Sequence, residues 1–254
     1  MNLTKSRPHS SPFTSGYELL SEDIMIDYLI QGIIETDTSG QLFGPSGAGK
    51  TFVALDMSLC IATGKRWNNR EVKQGLVIYF CAEGRAGISR RIKAWCIIHG
   101  KNKDDLSLIH ISKNTIEFSQ DKEETIVMNI LAIPEAHEKQ VALVVIDTLA
   151  RHMPSGADEN STKDMSIMIH VVDGIREKLG NCVIMFVHHS GHSSMERARG
   201  ASALKAALDF EICCKPGELK FTKMKDAEAP ESIGFKLKSV IISEDYNAYG
   251  FSDR

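Results

Sequence analysis

The stretch Gly44-Pro45-Ser46-Gly47-Ala48-Gly49-Lys50-Thr51 constrains this chain more than any other. It fits G-x-x-x-x-G-K-[ST], a loop whose chemistry requires a buried strand before it and a helix after it. The residue pattern supplies both. Gln41-Leu42-Phe43 reads as the end of a buried strand, and Thr51 to Cys60 reads as a helix with an apolar face. In that setting the glycines let backbone amides turn inward around a phosphate chain, and the helix N-terminus adds partial positive charge. Lys50 is expected to reach the β- and γ-phosphates, and the Thr51 hydroxyl to ligate Mg²⁺. The expected ligands are therefore ATP and Mg²⁺. The loop alone does not say what hydrolysis is for.

Strand and helix patterns alternate after the loop. Leu76–Cys81 and Val141–Asp147 are continuous apolar runs, as expected of strands buried on both faces. Leu106–Ile111 and Cys182–Val187 read as further strands. Helices are expected at about 86–99, at 122–139 with a break at Pro134, and at 163–179. The predicted fold class is α/β, a mostly parallel twisted sheet with helices on both faces. From about Leu208 the texture changes to short strands joined by turns, at 210–214, 219–223 and 233–237. They read as an antiparallel C-terminal meander on one edge of the sheet. Residues 1–16 are mostly polar, with Ser, Pro and Gly, and read as a flexible leader. Residues 17–254 read as one domain, with the apolar positions of 17–38 packed on its core.

A net charge of -3 argues against a protein that coats nucleic acid, though not against a local basic loop. The six cysteines sit mostly in apolar runs without a C-x-x-C pair, which suits reduced thiols in a cytoplasmic protein better than zinc or disulfides. No apolar run approaches a membrane span, so no membrane association is expected.

Several residues are placed to carry chemistry. Asp147 ends an apolar strand, where a carboxylate can hold the Mg²⁺ shell beside Thr51; the alternative is a helix-capping Asp. Glu83 follows the next strand, where ligands gather in such sheets, and could polarise an attacking water or be an exposed turn carboxylate. His188 and His189 end another strand; one could sense the γ-phosphate, or both could be structural. Ser190 to Gly200 is polar and basic, either a mobile loop or a DNA-contact loop with Arg197 and Arg199 on phosphates. Lys223 and Lys225 lie one side-chain alternation apart, either as solvated edge charges or as cations reaching a neighbouring subunit. Arg85, Arg90, Arg91 and Lys93 make a basic helix face that solvation accounts for.

Taken in order, GPSGAGKT at 44–51, AEG at 82–84, VVIDT at 144–148, GADENST at 156–162, VHHSGH at 187–192, RGASALKAALD at 199–209 and KMKD at 223–226 resemble the RecA-like P-loop ATPases of the DnaB type. The likeness is strongest to the small plasmid- and phage-encoded hexameric replicative helicases of the RepA kind. This resemblance implies that Glu83 is the catalytic glutamate, Asp147 the Walker B acid, and His188 or, by preference, His189 the strand-end sensor. It implies that 190–199 faces single-stranded DNA in a ring channel. A basic residue from the next subunit completes the ATP site in that family; Arg199, Lys223 and Lys225 are the candidates here, with no clear arginine finger. The implied partners are copies of the chain itself in a ring of six, single-stranded DNA, and other replication proteins. The competing expectation is an ATP-switched DNA-binding, helicase-loader or recombinase-like module without unwinding activity.

Overall fold

The computed structural model describes residues 13–21, 26–82, 85–191, 202–243 and 246–253. The first elements are a short helix α1 (Gly16–Ser21) and a hairpin of β1 (Tyr28–Ile30) and β2 (Ile34–Glu35). Strand β3 (Ser39–Gly44) then leads through the glycine loop into α2 (Lys50–Thr63). The alternating core follows as β4 (Leu76–Cys81), α3 (Arg85–His99), β5 (Ile109–Ile111), α4 (Glu123–Leu131), β6 (Val141–Asp147), α5 (Leu149–His152), α6 (Thr162–Lys178) and β7 (Val183–His189). The chain ends in α7 (Ser202–Ala207), β8 (Phe210–Lys215), β9 (Glu218–Met224), β10 (Ile233–Ser243) and β11 (Tyr246–Asp253).

Nine strands form one sheet in the order β11-β10-β9-β8-β3-β7-β6-β4-β5. From β8 to β5 every neighbouring pair is parallel, and from β8 to β11 every pair is antiparallel. Strand alternation splits the core into two layers. On β6, Leu143 and Val145 join the cluster beneath α2 and α3, while Val144 and Ile146 join the cluster beneath α4 and α6. On β4 and β7 the same alternation divides Val77, Tyr79, Val183 and Met185 from Ile78, Phe80, Ile184 and Phe186. Side chains on both faces of these strands are apolar because helices cover both faces. Burying each such side chain contributes roughly 1.5–3 kcal/mol. Helix α6 starts where the Ser161 hydroxyl accepts the Asp164 N–H at 3.2 Å, an N-cap that satisfies one of the open amides of the first turn.

Four sequence expectations are corrected. Residues 17–21 do not pack on the core: Tyr17 is 83% and Leu20 87% exposed. Helix α1 is instead held locally, with the Glu18 carboxylate accepting the Ser15 N–H and the Ser15 hydroxyl accepting the Glu18 N–H. Ile24 and Met25 lie outside the described residues; among those described, the apolar positions that reach the core are Leu29, Ile30, Ile33 and Ile34 of the β1–β2 hairpin. Residues 210–214 do not lie at the sheet edge: β8 starts the meander with β9 but runs parallel to β3 inside the sheet. The antiparallel extension begins with β9. Leu106 does not start a strand; it closes a 3-10 turn, and β5 begins at Ile109. Lastly, β10 pairs with β9 only at Ile233 and Gly234, then leaves the sheet with β11 as a two-stranded ribbon packed over α2 and α3. That ribbon is why α2, read as one-sided, is buried nearly all round.

Candidate active site

The site is assembled by the C-terminal ends of adjacent parallel strands. Gly44 at the end of β3 is level with His189 at the end of β7, and Asp147 at the end of β6 is level with Val187. In parallel α/β sheets ligands bind at this edge, where loops leave the strands and helix N-termini face them. Ser190 N–H donates to Gly44 O at 3.0 Å, so the chain beyond β7 is pinned to the start of the glycine loop.

The loop shows the features of a phosphate cradle. Gly49 sits at φ 99°, a conformation strained for any residue with a Cβ, and passes directly into α2 at Lys50. A Cβ at Gly44 would stand 2.0 Å from the Cys214 carbonyl oxygen, so close packing of β3 on β8 demands glycine there. Pro45 and Gly49 are half-buried, Ser46 and Gly47 are exposed, and Ala48 is buried. Lys50 is 6% exposed, and its ammonium donates to Gly44 O and Pro45 O, both at 2.9 Å. Its Nζ also lies 3.4 Å from His189 Nδ1. Burial lowers the Lys50 pKa from the ordinary lysine value, against the opposing pull of Cys214 and Asp147. The amine is thus folded onto the loop that would hold a phosphate chain, where negative charge would relieve its desolvation.

Asp147 is fully buried, and the Tyr79 hydroxyl donates to its Oδ2 at 2.6 Å. Burial, and then the charge of Asp147, pushes the Tyr79 phenol well above its usual range, so it remains a donor and orients the carboxylate. Ala82 N–H donates to Asp147 O at 2.8 Å, fixing the chain one residue before Glu83 beside the Asp147 backbone. Glu83 itself lies outside the described residues. His188 is fully buried and His189 half-buried, and it is His189 that faces Lys50.

The donor set fits Mg·ATP. Thr51, half-buried at the first turn of α2, offers a hydroxyl, and Asp147 a carboxylate; Mg²⁺ takes oxygen ligands, commonly one or two from protein and the rest from phosphates and water. Among the described residues no group of three His, Cys, Asp or Glu forms a metal cage. Thr51 and Asp147 are the residues that would hold the ion.

Other expected site residues lie elsewhere. Arg197 and Arg199 fall outside the described residues. Lys223 and Lys225 sit where the parallel strands begin: Lys225 N–H donates to Asp209 O, and Asp209 N–H donates to Ser39 O. Lys225 is level with Ser39, five residues of β3 from Gly44, and Lys223 with Gln41, three residues from it, roughly 17 Å and 10 Å by strand rise. Neither lysine reaches its own loop. Lys223 Nζ donates to Lys205 O at 2.7 Å and to Leu208 O, capping the end of α7, and Lys225 Nζ donates to Asp209 Oδ1 at 3.2 Å. Of the basic face on α3, Arg91 is not simply solvated: its guanidinium lies 4.8 Å from the centre of the Phe52 ring.

Three contacts at the site escaped the sequence reading. Tyr79 was legible only as a member of an apolar run, though a buried phenol requires a hydrogen-bond partner. Phe235 and Leu237 of β10 pack against Gly49, with the Phe235 ring 3.2 Å from where a Cβ would stand. Cys214, its thiol pushed up to about 12 by burial against the pull of Lys50, donates to Ala48 O at 3.4 Å.

A phosphate loop on a central parallel strand, with a buried carboxylate ending the second strand along, defines a P-loop protein of RecA-like α/β fold. Residues 12–195 match a family model described as an AAA domain, and the chain belongs to that family. A search of curated proteins found no match. Two solved structures are similar in fold. The ATPase domain of G40P superimposes with a TM-score of 0.60 at 15% identity, covering 86% of this chain and 91% of that one. The RadB recombinase does so with a TM-score of 0.55 at 17% identity, covering 80% and 88%.

Proposed function

We propose that this protein is an ATP-hydrolysing, ring-forming DNA helicase or translocase of the plasmid or phage replication type. The observation that carries the reading is the convergence of Lys50, His189 and Asp147 at one sheet edge, with Lys50 Nζ 3.4 Å from His189 Nδ1. Lys50 holds the β- and γ-phosphates and stabilises the charge that develops as the terminal bond breaks. Mg²⁺, when bound by Thr51 and Asp147, neutralises charge on the phosphate oxygens. Glu83, one residue beyond the Ala82 tether, orients the attacking water. His189 senses the terminal phosphate through its position beside Lys50, and Ser190 carries that state into the segment with Arg197 and Arg199, which meets DNA phosphates.

The distance of Lys223 and Lys225 from their own loop supports a role for one of them in a neighbour's site, with Arg199 the remaining candidate. Head-to-tail contacts of that kind close into rings. ATP turnover, measured with and without single-stranded DNA, together with solution mass with and without Mg·ATP, tests the reading. DNA-stimulated turnover and a nucleotide-dependent ring mass are expected. A monomer whose turnover ignores DNA would replace it with the nucleotide-switched binding module.

A further inference from the structure

Strand β3 carries the glycine loop, and two of its buried residues, Ser39 and Gln41, are polar. Gln41, 1% exposed, lies beside Glu211 of β8 in the parallel register, and Glu211 is also 1% exposed. Their neighbours Leu42 and Ile212 point into the layer beneath α2, so the pair faces the opposite layer, beneath α6 and α7. There the surrounding side chains include Leu204 and Leu208. Gln41 Nε2 donates to Glu211 Oε1 at 2.6 Å, and Glu211 Oε2 lies 2.6 Å from Lys205 Nζ. Lys205 is on α7, which begins at Ser202, immediately after the segment holding Arg197 and Arg199.

Placing a carboxylate and an amide in an apolar layer is costly unless their partners are well made, and apolar residues of similar size would commonly be as stable. The pair does something packing alone would not: it ties α7 to the P-loop strand. The near end of the same segment is tied to that strand too, through Ser190 N–H on Gly44 O. Both flanks of residues 191–201 are therefore fastened to β3, one by backbone and one by the chain Lys205–Glu211–Gln41.

We propose that Glu211 is a positioning residue that couples DNA engagement to the nucleotide loop through α7. The inference rests on the reading that the segment before α7 meets DNA. Lys205 is half exposed at its side chain, so its ammonium can turn to water when α7 shifts, at the cost of leaving the buried Glu211 carboxylate with Gln41 as its remaining partner. Lys223, which caps α7 from β9, joins the same helix to the strand of the candidate trans-acting lysines.

ATP turnover is measured with and without single-stranded DNA for the unmodified chain, Glu211→Gln, Lys205→Ala and Lys205→Arg. Glu211→Gln keeps the bond to Gln41 and loses the ion pair. Its basal turnover and KM for ATP are expected to match the unmodified chain, while stimulation by DNA falls by about fivefold or more. Lys205→Ala should behave alike, and Lys205→Arg should restore stimulation. Stimulation undiminished in Glu211→Gln and Lys205→Ala would overturn the coupling while leaving the functional reading intact.

Hydrogen exchange at residues 202–208 separates the two failures, since it needs no DNA. Adding Mg·ATP should slow exchange there in the unmodified chain and not in Glu211→Gln. An equal response in both would overturn the coupling. An unmodified chain with the expected exchange response but no DNA stimulation would refute the DNA reading and take with it the DNA half of the inference.

Discussion

Two buried carboxylates, one on each side of the sheet, are satisfied in opposite ways. Asp56 on α2 is 2% exposed and accepts Trp67 Nε1–H at 2.7 Å and Trp95 Nε1–H at 2.6 Å. Both indoles are themselves buried, at 1% and 2% exposure. The bonds join α2, the loop after it and α3 into one block behind the phosphate loop. Glu211, on the other face, shares its charge with Lys205, whose side chain is 55% exposed. Neutral buried donors have no water to turn to, so the Asp56 joint holds. An exposed lysine has water as an alternative partner, so opening the Glu211 joint strands one buried group, where opening the Asp56 joint strands three. The comparison separates a brace that keeps the nucleotide loop rigid from a tether suited to passing a signal.

The largest effect should follow from breaking the brace. Asp56→Ala leaves two buried indole N–H groups unbonded and should cost about 3–5 kcal/mol, read as a lower urea midpoint. A loss under about 1 kcal/mol would mean the indoles find other acceptors and the brace is not rigid. Trp95→Phe removes one of the two donors and should cost about 1–3 kcal/mol in the same assay. Glu211→Gln should cost only about 1 kcal/mol, because Lys205 can turn to solvent. A loss as large as that of Asp56→Ala would make the two carboxylates equivalent and end the distinction.

The brace side also carries a pH dependence. His99, whose Nε2 lies 3.9 Å from Asp56 Oδ1, has its pKa lowered from 6.5 to about 4, by burial first and then by Lys65. Above pH 6.5 the imidazole is neutral in both folded and unfolded chains. As pH falls from 6.5 towards 4, the unfolded chain takes up the proton first, and stability should decline by up to about 1.4 kcal/mol per pH unit. Urea midpoints from pH 7 to pH 4 check this, and His99→Gln should flatten the slope.

Local and periodic features were the legible ones. The glycine loop and the β4 and β6 runs announce themselves because the first requires particular residue types and the others are unbroken apolar segments. Asp147 stood out because four aliphatic residues precede it. What could not be read was long-range. Whether Phe210–Lys215 runs parallel beside β3 or antiparallel at an edge depends on pairing, not on its own residues, and its buried Glu211 gives it the look of an edge strand. Tyr17 and Leu20 show that an apolar residue signals a need for cover without saying what covers it. Tyr79, Phe235 and Cys214 reach the site from separate strands, and no local pattern marks such convergence. For Lys223 and Lys225 the alternation was visible; the helix end and the Asp209 carboxylate that occupy them were not.

The central claim is that the loop at 44–51 turns over ATP in response to DNA. Steady-state ATP hydrolysis by the unmodified chain and by Lys50→Ala, each with and without single-stranded DNA, tests it most directly. The account predicts DNA-stimulated turnover in the first and loss of at least about a hundredfold in the second, the scale expected when a transition-state contact is removed. Equal turnover by Lys50→Ala would contradict the account.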